Sequence, residues 1–395
     1  MSFKTSSLAS LSSLITKGTT PTTLGYAHSD SGIPFLRVQN IFSGQVNFKE
    51  DTLFIDSNTH TALKRSQIQG GDVLVTIAGT IGRTGVVPHD APEMNCNQAV
   101  AIVRPTPEIE RSYLRHWLES QEARSQMLGS TVTGTISNLS LSQLGELRVP
   151  LPPLEEQRRI AAILDQAETL RIQRRTALAL LDSLTQSLFL DMFGDPVANP
   201  KGWPTESLTD LCHCYSGGTP SKAKKEYWEG ELPWFSAKDM KAEDLFDSED
   251  HISEQVPETT TLKLLPKDTV AIVVRGMILA HTFPVCVLRI PATINQDLKA
   301  LLPKQPVNSQ FLAACLRSQS GFVLEKVSEA GHGTKRLDAQ GLQSIRIPRP
   351  GDALEQTFAT RIASIEALKT THRRALAALD ALFASLQQRA FAGQL

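Results

Sequence analysis

The sequence predicts an α+β protein: two tandem mixed α/β domains separated by two long helices, which pack as an antiparallel coiled coil with pseudo-two-fold symmetry. Three observations predict this fold. The chain repeats itself at a distance of about 199 residues, each repeat opens with strand- and turn-rich sequence, and each closes with a long heptad-patterned segment. A length of 395 residues allows two or three domains with separate cores.

The repeat consists of short motifs that recur in the same order. The matching pairs are Thr20-Pro21 and Thr219-Pro220, 33–36 and 232–235, Asn97-Gln98 and Asn295-Gln296, Gly134-Thr135 and Gly333-Thr334, and 181–184 and 379–382. A period this long indicates two whole domain units, because solenoids repeat every 20–50 residues or so. We therefore predict a first domain at 1–153, a helix at 154–194, a second domain at 195–352 and a helix at 353–395.

Within the first repeat, the apolar run 73–78 predicts a buried strand followed by a tight turn that contains Gly79, Gly82 and Gly85. Further elements are predicted as a strand at 99–103, an amphipathic helix at 112–127 and an extended proline-rich segment at 148–153.

The first long helix is predicted from Leu154 to Phe193. Acidic residues occupy its first turn, where the helix dipole favours them, and Gly194 follows as a C-cap. The second long helix is predicted to start after Asp352, with Glu355 completing a capping box.

Apolar residues in both long helices follow alternating three- and four-residue spacing, which predicts a coiled-coil seam. The seam residues are Ile160, Ile163, Leu170, Leu181, Leu184 and Leu188 in the first helix, and Ile365, Leu368, Leu379, Leu382 and Leu386 in the second. Arg174 and His372 interrupt this pattern at equivalent places. Because exposed seams of about 60 Å would promote association, we expect the two helices to pack on each other.

The composition indicates a cytoplasmic protein. Apolar runs are too short for a membrane span, the N-terminus lacks the apolar core of a secretion signal, and five cysteines are scattered as expected for reduced thiols. The net charge of −1 means that any binding to nucleic acid requires local basic surfaces.

Motifs for catalysis and metal binding are missing from the sequence. It contains no phosphate-binding P-loop, no His-Glu-x-x-His zinc motif and no clustered His and Cys ligands. The tetrad with which amino-methyltransferases hold a flipped base is also missing. We therefore predict a non-catalytic binding and scaffolding protein with no metal site.

Several motifs resemble those of the DNA-specificity subunit of Type I restriction-modification systems, and the resemblance extends over the whole chain. These motifs are Pro150-Leu-Pro-Pro-Leu-Glu-Glu-Gln157, Phe193-Gly-Asp-Pro196, Asn199-Pro-Lys-Gly-Trp203, Ser216-Gly-Gly-Thr-Pro220 and Gly230-Glu-Leu-Pro-Trp234. The first repeat departs from the pattern with Lys17-Gly18-Thr19, and the second proline segment weakens to Ile347-Pro-Arg-Pro-Gly351.

The resemblance implies that the two domains are target-recognition domains for an asymmetric bipartite site on double-stranded DNA. It implies that the helices set the spacing and dock two methyltransferase subunits and the restriction/translocase subunits. S-adenosylmethionine, ATP and Mg would be used by these partners, and no cofactor would be bound by this chain.

The internal repeat also suggests which residues recognise bases, since the two domains should differ where they meet different sequences. Asn97-Gln98 and Asn295-Gln296 match, which favours a scaffold role or a common backbone contact. Side chains that differ, or that lie in basic loops, are the candidate DNA-binding residues. They are Arg37, Gln39, Arg83, Lys222, Lys224, Lys238, Arg275, Lys335 and Arg336.

Two other functions remain open from the sequence. One is the equivalent module of a methylation-only or related restriction system, which only the co-purifying subunits would distinguish. The other is a coiled-coil adaptor whose globular ends bind proteins.

Overall fold

The computed structural model describes residues 3–128, 138–329 and 333–395. The chain forms two compact units: residues 1–175 with 374–395 make up unit 1, and residues 176–373 make up unit 2. The repeat motif Gly134-Thr135 lies outside the described residues, so its match to Gly333-Thr334 stays a prediction.

The domain of unit 1 combines short strands with short helices. Its strands are β1 (Thr5–Ser7), β2 (Ser12–Lys17), β3 (Ile33–Leu36), β4 (Ile41–Phe42), β5 (Gln45–Val46), β6 (Leu53–Ile55), β7 (Gln67–Ile68), β8 (Val73–Thr76), β9 (Thr84–Val86), β10 (Met94–Cys96), β11 (Val100–Pro105) and β12 (Arg148–Pro150). Its helices are α1 (Ser57–Ala62), α2 (Arg111–Leu118), α3 (Gln121–Leu128) and α4 (Leu141–Glu146). Two four-stranded sheets have the orders β6-β3-β10-β7 and β2-β11-β8-β9, and β1 pairs with β12.

After α5 (Leu154–Phe193), the domain of unit 2 has the same kind of construction. Its strands are β13 (Thr205–Ser207), β14 (Cys212–Ser216), β15 (Leu232–Phe235), β16 (Asp244–Leu245), β17 (His251–Ile252), β18 (Thr269–Val273), β19 (Val285–Leu288), β20 (Thr293–Ile294), β21 (Leu298–Pro303), β22 (Ser328–Glu329), β23 (Lys335–Arg336) and β24 (Arg346–Pro348). Its helices are α6 (Leu208–Leu211), α7 (Val256–Thr259), α8 (Ser309–Ser318), α9 (Ser320–Glu325) and α10 (Ala339–Ser344), before α11 (Asp352–Phe391).

The sheets of the two units follow the same strand order. The order β14-β21-β18-β19-β16 repeats β2-β11-β8-β9 with one added strand, and β17-β15-β20 repeats β6-β3-β10 with the same parallel pairing. Strands β8 and β11 confirm the predicted strands at 73–78 and 99–103. The predicted glycine turn is confirmed at Gly79 and Gly82, which adopt φ angles of +73° and +84° between antiparallel β8 and β9. Gly85 does not belong to the turn, since it lies in β9.

The prediction of one helix at 112–127 is wrong. Two helices, α2 and α3, occupy this segment, and they meet at Ser120. The Ser120 hydroxyl accepts a hydrogen bond from the Ala123 amide at 3.2 Å, so Ser120 starts a new helix in the manner of an N-cap. Ser120 was the signal for this boundary, because a serine inside an amphipathic pattern can cap the start of a new helix.

The long helices α5 and α11 each contain 40 residues, and α5 ends at Phe193 before Gly194 with φ +81°, as predicted. The capping box at Glu355 is wrong, because Asp352 already lies in the helix. Glu355 Oε2 instead accepts the Asn308 amide at 3.0 Å. Gln157 in α5 makes the equivalent contact to the Glu110 amide at 2.8 Å, so this position ties each helix to its domain.

Within each unit, the segments of α5 and α11 run antiparallel, as predicted. In unit 1, Arg171 Nε lies 2.6 Å from Asp380 Oδ1, and Arg159, earlier in α5, donates to the Leu395 carbonyl. In unit 2, Lys369 lies 2.9 Å from Asp182, and the rings of Phe189 and Phe358 are 5.8 Å apart. Residue numbers therefore rise along one helix as they fall along the other.

The predicted seam is only partly correct. Ile160 and Ile365 are buried, whereas Ile163, Leu181, Leu188, Leu379 and Leu386 are half-buried. Four predicted seam residues are exposed, by 41%, 46%, 52% and 50%: Leu170, Leu184, Leu368 and Leu382.

The buried face of these helices is shifted by one residue from the heptad pattern. Thr185, Lys369 and Phe383 are buried, each directly after an exposed leucine. The helices also pack against their domains, for example through the Tyr113–Phe391 ring contact at 5.4 Å. Contacts on two sides rotate the buried stripe away from a strict coiled-coil seam. In the described part of the chain, no helix is long and apolar enough to cross a membrane.

Candidate nucleic-acid interface

Two of the repeated motifs meet at the same place in both units. In unit 2, the Thr219 hydroxyl donates a hydrogen bond to Gln296 Oε1 at 2.6 Å. In unit 1, the Thr20 hydroxyl donates to Gln98 Oε1. The Thr-Pro and Asn-Gln motifs, far apart in the sequence, therefore form one joint, which we call the Thr–Gln joint.

The backbone behind this joint explains the glycine that precedes it. A Cβ atom on Gly18 would lie 2.0 Å from the Cys96 carbonyl oxygen, and one on Gly217 would lie 1.9 Å from that of Ile294. Only glycine permits this close crossing of two chain segments. In unit 2, the asparagine of the joint has a scaffold role. The backbone N–H of Asn295 donates to the Phe235 carbonyl at 2.9 Å, and the Asn295 side chain is buried.

In unit 1, the structure brings two candidate DNA-binding residues together on one carboxylate. Arg37 lies 3.5 Å from Asp51 Oδ1, and the Gln39 amide donates to Asp51 Oδ2 at 2.8 Å. Sequence reasoning missed Asp51, since no motif marks it. The exposed carboxylate holds a guanidinium and an amide side by side, and these are the groups that pair bidentately with guanine and adenine.

The equivalent surface of unit 2 has different chemistry. Ser236 replaces Arg37, and its hydroxyl donates to Asp239 Oδ2 at 3.0 Å. Lys238 replaces Gln39 and forms ion pairs with Glu249 at 3.2 Å and Asp250 at 2.9 Å. Hydrogen bonds to Asp250 and Glu249 raise the pKa of Lys238. The two units thus present different donors on the same framework.

Lys222 and Lys224 lie on one exposed loop of unit 2. The Lys224 ammonium donates to the Tyr227 hydroxyl at 3.0 Å and lies 4.7 Å from the centre of its ring. Trp228 and Trp234 pack edge to face behind the loop, with ring centres 5.2 Å apart. The packed aromatic rings therefore anchor this basic loop to the domain.

The other basic group of unit 2 contains Arg275, Lys335 and Arg336. Arg275 and Arg336 are antiparallel bridge partners, and the Gly276 amide donates to the Lys335 carbonyl at 3.0 Å. Lys335 also pairs with Glu329 at 3.0 Å across the β22–β23 hairpin. Strand pairing therefore assembles a basic edge from two segments that are distant in the sequence.

Arg83 and Arg275 lie in equivalent turns, between β8 and β9 and between β18 and β19, but at different positions within them. The bridge from Ala78 to Asn138 in unit 1 matches the bridge from Arg275 to Arg336, so Ala78 is the counterpart of Arg275. Arg83 instead lines a cleft of 1190 Å³ that also contains Arg171 and Arg175 of α5.

A partly buried polar network joins α2 to α5 in unit 1. His116 Nε2 and Arg115 lie 2.7 and 3.2 Å from Asp165, and Arg115 also lies 2.6 Å from Glu168. Burial raises the pKa of Asp165, but hydrogen bonds from His116 and Ser112 outweigh it and hold the pKa below its ordinary value. No sequence motif predicted this cluster of His and carboxylate groups. Because the buried Arg115 of α2 pairs with both Asp165 and Glu168 of α5, we assign the network to the attachment of the domain to its helix.

The exposed leucines of the long helices occupy equivalent positions in the two units. Leu170 in α5 corresponds to Leu368 in α11, and Leu184 corresponds to Leu382. All four are at least 41% exposed. Each unit therefore presents apolar side chains of the same kind on its helices, as a surface for a partner would.

Comparisons with known proteins agree with the division of the chain into two similar repeats. A family model described as "Type I restriction modification DNA specificity domain" matches residues 2–179 and 200–379, which are the two repeats. Among curated relatives, the type I restriction enzyme EcoR124I/EcoR124II specificity subunit of Escherichia coli is 32% identical over 218 residues, covering 53% of this chain and 53% of that protein. The EcoBI specificity subunit of the same organism is 34% identical over 169 residues, covering 41% of this chain and 35% of that protein. The matched regions thus span about half of these relatives or less.

Solved structures share the fold over almost the whole chain. A chain from a structural study of complex assembly and conformational transition of the type I R-M system aligns with a TM-score of 0.60 and 21% identity, covering 100% of this chain and 98% of that one. The S subunit of a type I restriction-modification system from M. genitalium aligns with a TM-score of 0.58 and 17% identity, covering 99% of this chain and 96% of that one.

Proposed function

The chain belongs to the type I restriction-modification DNA specificity family, and from this premise we propose that it recognises an asymmetric bipartite site on double-stranded DNA. One observation carries the proposal. The two units share their framework and their Thr–Gln joints, but they differ at surface positions, where Arg37 and Gln39 of unit 1 correspond to Ser236 and Lys238 of unit 2. Two like domains with different surface donors suit two different half-sites.

The candidate DNA-binding residues divide into two kinds. Arg37 and Gln39 are candidates for base recognition, because Asp51 already orients both side chains. The loop of Lys222 and Lys224 and the edge of Arg275 and Arg336 suit contacts to phosphates, which supply much of the affinity of DNA-binding proteins. These local basic surfaces offset a net charge of −1.

We further propose that the helices dock two methyltransferase subunits. The exposed leucines recur at equivalent positions in the two units, and equivalent surfaces suit two copies of one partner. These partners would methylate adenine with S-adenosylmethionine, and restriction/translocase subunits would use ATP and Mg. This chain would be the non-catalytic specificity subunit.

A domain replacement tests the proposal. Residues 1–153 are exchanged for the first domain of another family member, and the methylated adenine motif is determined by single-molecule sequencing in cells that carry the whole system. We expect one half-site to change and the other to persist. The reciprocal exchange of 195–352 is the matched control and should change only the other half-site. A change in both half-sites after either exchange would contradict the modular recognition.

A further inference from the structure

The two domains share the Thr–Gln joint at their surfaces, although their candidate base-recognition residues differ. Gln98 and Gln296 are exposed, whereas the preceding Asn97 is half-buried and Asn295 is buried. An exposed glutamine contributes little to a domain core. Two domains that recognise different bases still meet one common chemical group, which is the sugar–phosphate backbone.

The hydrogen bond from threonine determines which end of each amide is available. Because the hydroxyl donates to Oε1, the carbonyl end of the amide is occupied in both units. Among the residues that the structure describes, no hydrogen bond involves Nε2 of Gln98 or Gln296. The amide NH2 is therefore a pre-oriented donor, and a phosphate oxygen is an acceptor for it.

A lysine lies beside each joint, and its position supports a phosphate ligand. In unit 1, Lys17 of β2 pairs across the strands with Ala101 of β11. In unit 2, the lysine has changed strands within the equivalent pair, because Ser216 of β14 faces Lys299 of β21. Each pair lies three residues from the threonine and three residues from the glutamine of its joint. Residues directly opposite in an antiparallel pair share one face of the sheet, so both units place one ammonium group on the corresponding face.

In unit 2, the lysine side chain is held against β14, the strand that leads into the joint. Lys299 Nζ donates to the Ser216 hydroxyl at 2.8 Å, and Gly217 and Gly218 lead directly from Ser216 to Thr219. The lysine thus comes from a different strand in each unit, yet each unit combines one amide donor with one cation. We infer that Gln98 with Lys17, and Gln296 with Lys299, form a sequence-independent phosphate-binding site in each domain. This inference rests on the proposed function.

Substitution of glutamine by glutamate tests the inference with little disturbance of the fold. Gln98→Glu and Gln296→Glu keep the oxygen that accepts from threonine, but they replace the NH2 donor by a negative charge. Affinity is measured with the full chain and its methyltransferase subunits, on duplexes with and without the methylated motif. We expect each variant to bind both duplexes roughly 10- to 100-fold more weakly, with an unchanged methylated motif. Gln255→Glu adds the same charge at another exposed site of unit 2 and should change the affinity far less.

Salt dependence provides a second and independent measurement. Lys17→Ala and Lys299→Ala should each reduce the slope of log affinity against log salt concentration by about 0.9, as for the loss of one phosphate contact. Unchanged affinity in both glutamate variants, at unchanged thermal stability, would overturn the site. A new base preference in the methylated motif would overturn it too, by showing a base contact. A wild-type complex that binds no duplex would instead overturn the proposed function, and this inference with it, before any variant is compared.

Discussion

Lys369 Nζ lies 2.9 Å from Asp182 Oδ1 and joins α11 to α5 within unit 2, although only 3% of the lysine side chain is exposed. It also lies 2.7 Å from Glu366. In unit 1, Arg171 and Asp380 form the equivalent pair at 2.6 Å, and the Arg171 guanidinium lies 4.4 Å from the centre of the Phe383 ring. Each unit therefore holds its two helix segments together with the same kind of ion pair in different surroundings.

Removal of this lysine should destabilise unit 2. Lys369→Met keeps most of the apolar stem but leaves Glu366 and Asp182 without the cation between them. We expect the free energy of unfolding to fall by about 1–3 kcal/mol, measured by urea denaturation. Asp182→Asn is the matched variant, and because Asp182 is 65% exposed it should cost less than about 1 kcal/mol. Equal stability of Lys369→Met and wild type would show that the buried lysine has no structural role.

The network at Asp165 should make the stability of unit 1 depend on pH. Burial raises the pKa of Asp165, but bonds from His116 and Ser112 outweigh this and lower it below the ordinary value of 3.8. A lowered folded-state pKa contributes stability above the unfolded value, and this is lost as the pH falls through the folded value. Asp165→Asn should therefore unfold more easily at pH 7, by less than about 1 kcal/mol because Asp165 is 45% exposed and solvent screens its ion pairs. The difference should shrink as the pH falls below the ordinary value of 3.8.

Thermal unfolding of both proteins from pH 3 to 7 measures this difference. Asp90→Asn is the control, because it removes the same charge from an exposed position of unit 1, and it should leave the stability close to that of the wild type throughout. A difference between Asp165→Asn and wild type that stays constant across this range would exclude the ionic contribution.

Sequence patterns predicted the elements whose signals are local. The bounds of α5, the strands at β8 and β11 and the Gly194 cap all follow from apolar runs, proline and glycine. The four exposed leucines were wrongly predicted to lie in the seam. A heptad pattern reflects only the contact between two helices and not the packing of a helix against its domain. Phe383 and Lys369 are buried by packing against residues that are distant in the sequence, and no local pattern contains that information.

The candidate site was predictable only where the repeat supplied the signal. The Thr-Pro and Asn-Gln motifs were visible as matches, but their hydrogen bond depends on the crossing of two chain segments at Gly18 and Gly217. Asp51 gave no signal, because an exposed aspartate in a turn is common. Its role arises from β3 and β6 being neighbours in a sheet, which places its loop beside Arg37 and Gln39.

The exposed leucines should determine partner binding. Leu170→Gln and Leu368→Gln each remove an apolar side chain from equivalent surfaces, so each should weaken one of the two proposed methyltransferase contacts. We expect the single variants to shift the assembly, measured by native mass spectrometry, from two methyltransferase subunits towards one, and the double variant towards none. Leu180→Gln is the control, since Leu180 is 64% exposed but its counterpart in the second repeat is Ala378. Full assembly of the double variant would place the docking surface elsewhere.

Insertion of four residues into the long helices should change the spacing of the recognised site and not its bases. One helical turn adds about 6 Å, which corresponds to between one and two base pairs of duplex rise. The residues are placed after Arg174 in α5 and, in a second variant, also after His372 in α11, which are equivalent positions at the border of the two units.

The two variants differ in how well the helices can still pair. The single insertion lengthens only α5, so in one of the units the residues of α5 must shift out of register with those of α11. We therefore expect reduced methylation. The double insertion preserves the Arg171–Asp380 and Lys369–Asp182 pairs and should retain more activity. In both variants, the methylated motif should keep its two half-sites while the unspecified gap grows by about one to two base pairs. An unchanged gap at full activity would show that the helices do not set the spacing. New bases in either half-site would show that recognition by the domains depends on the helices.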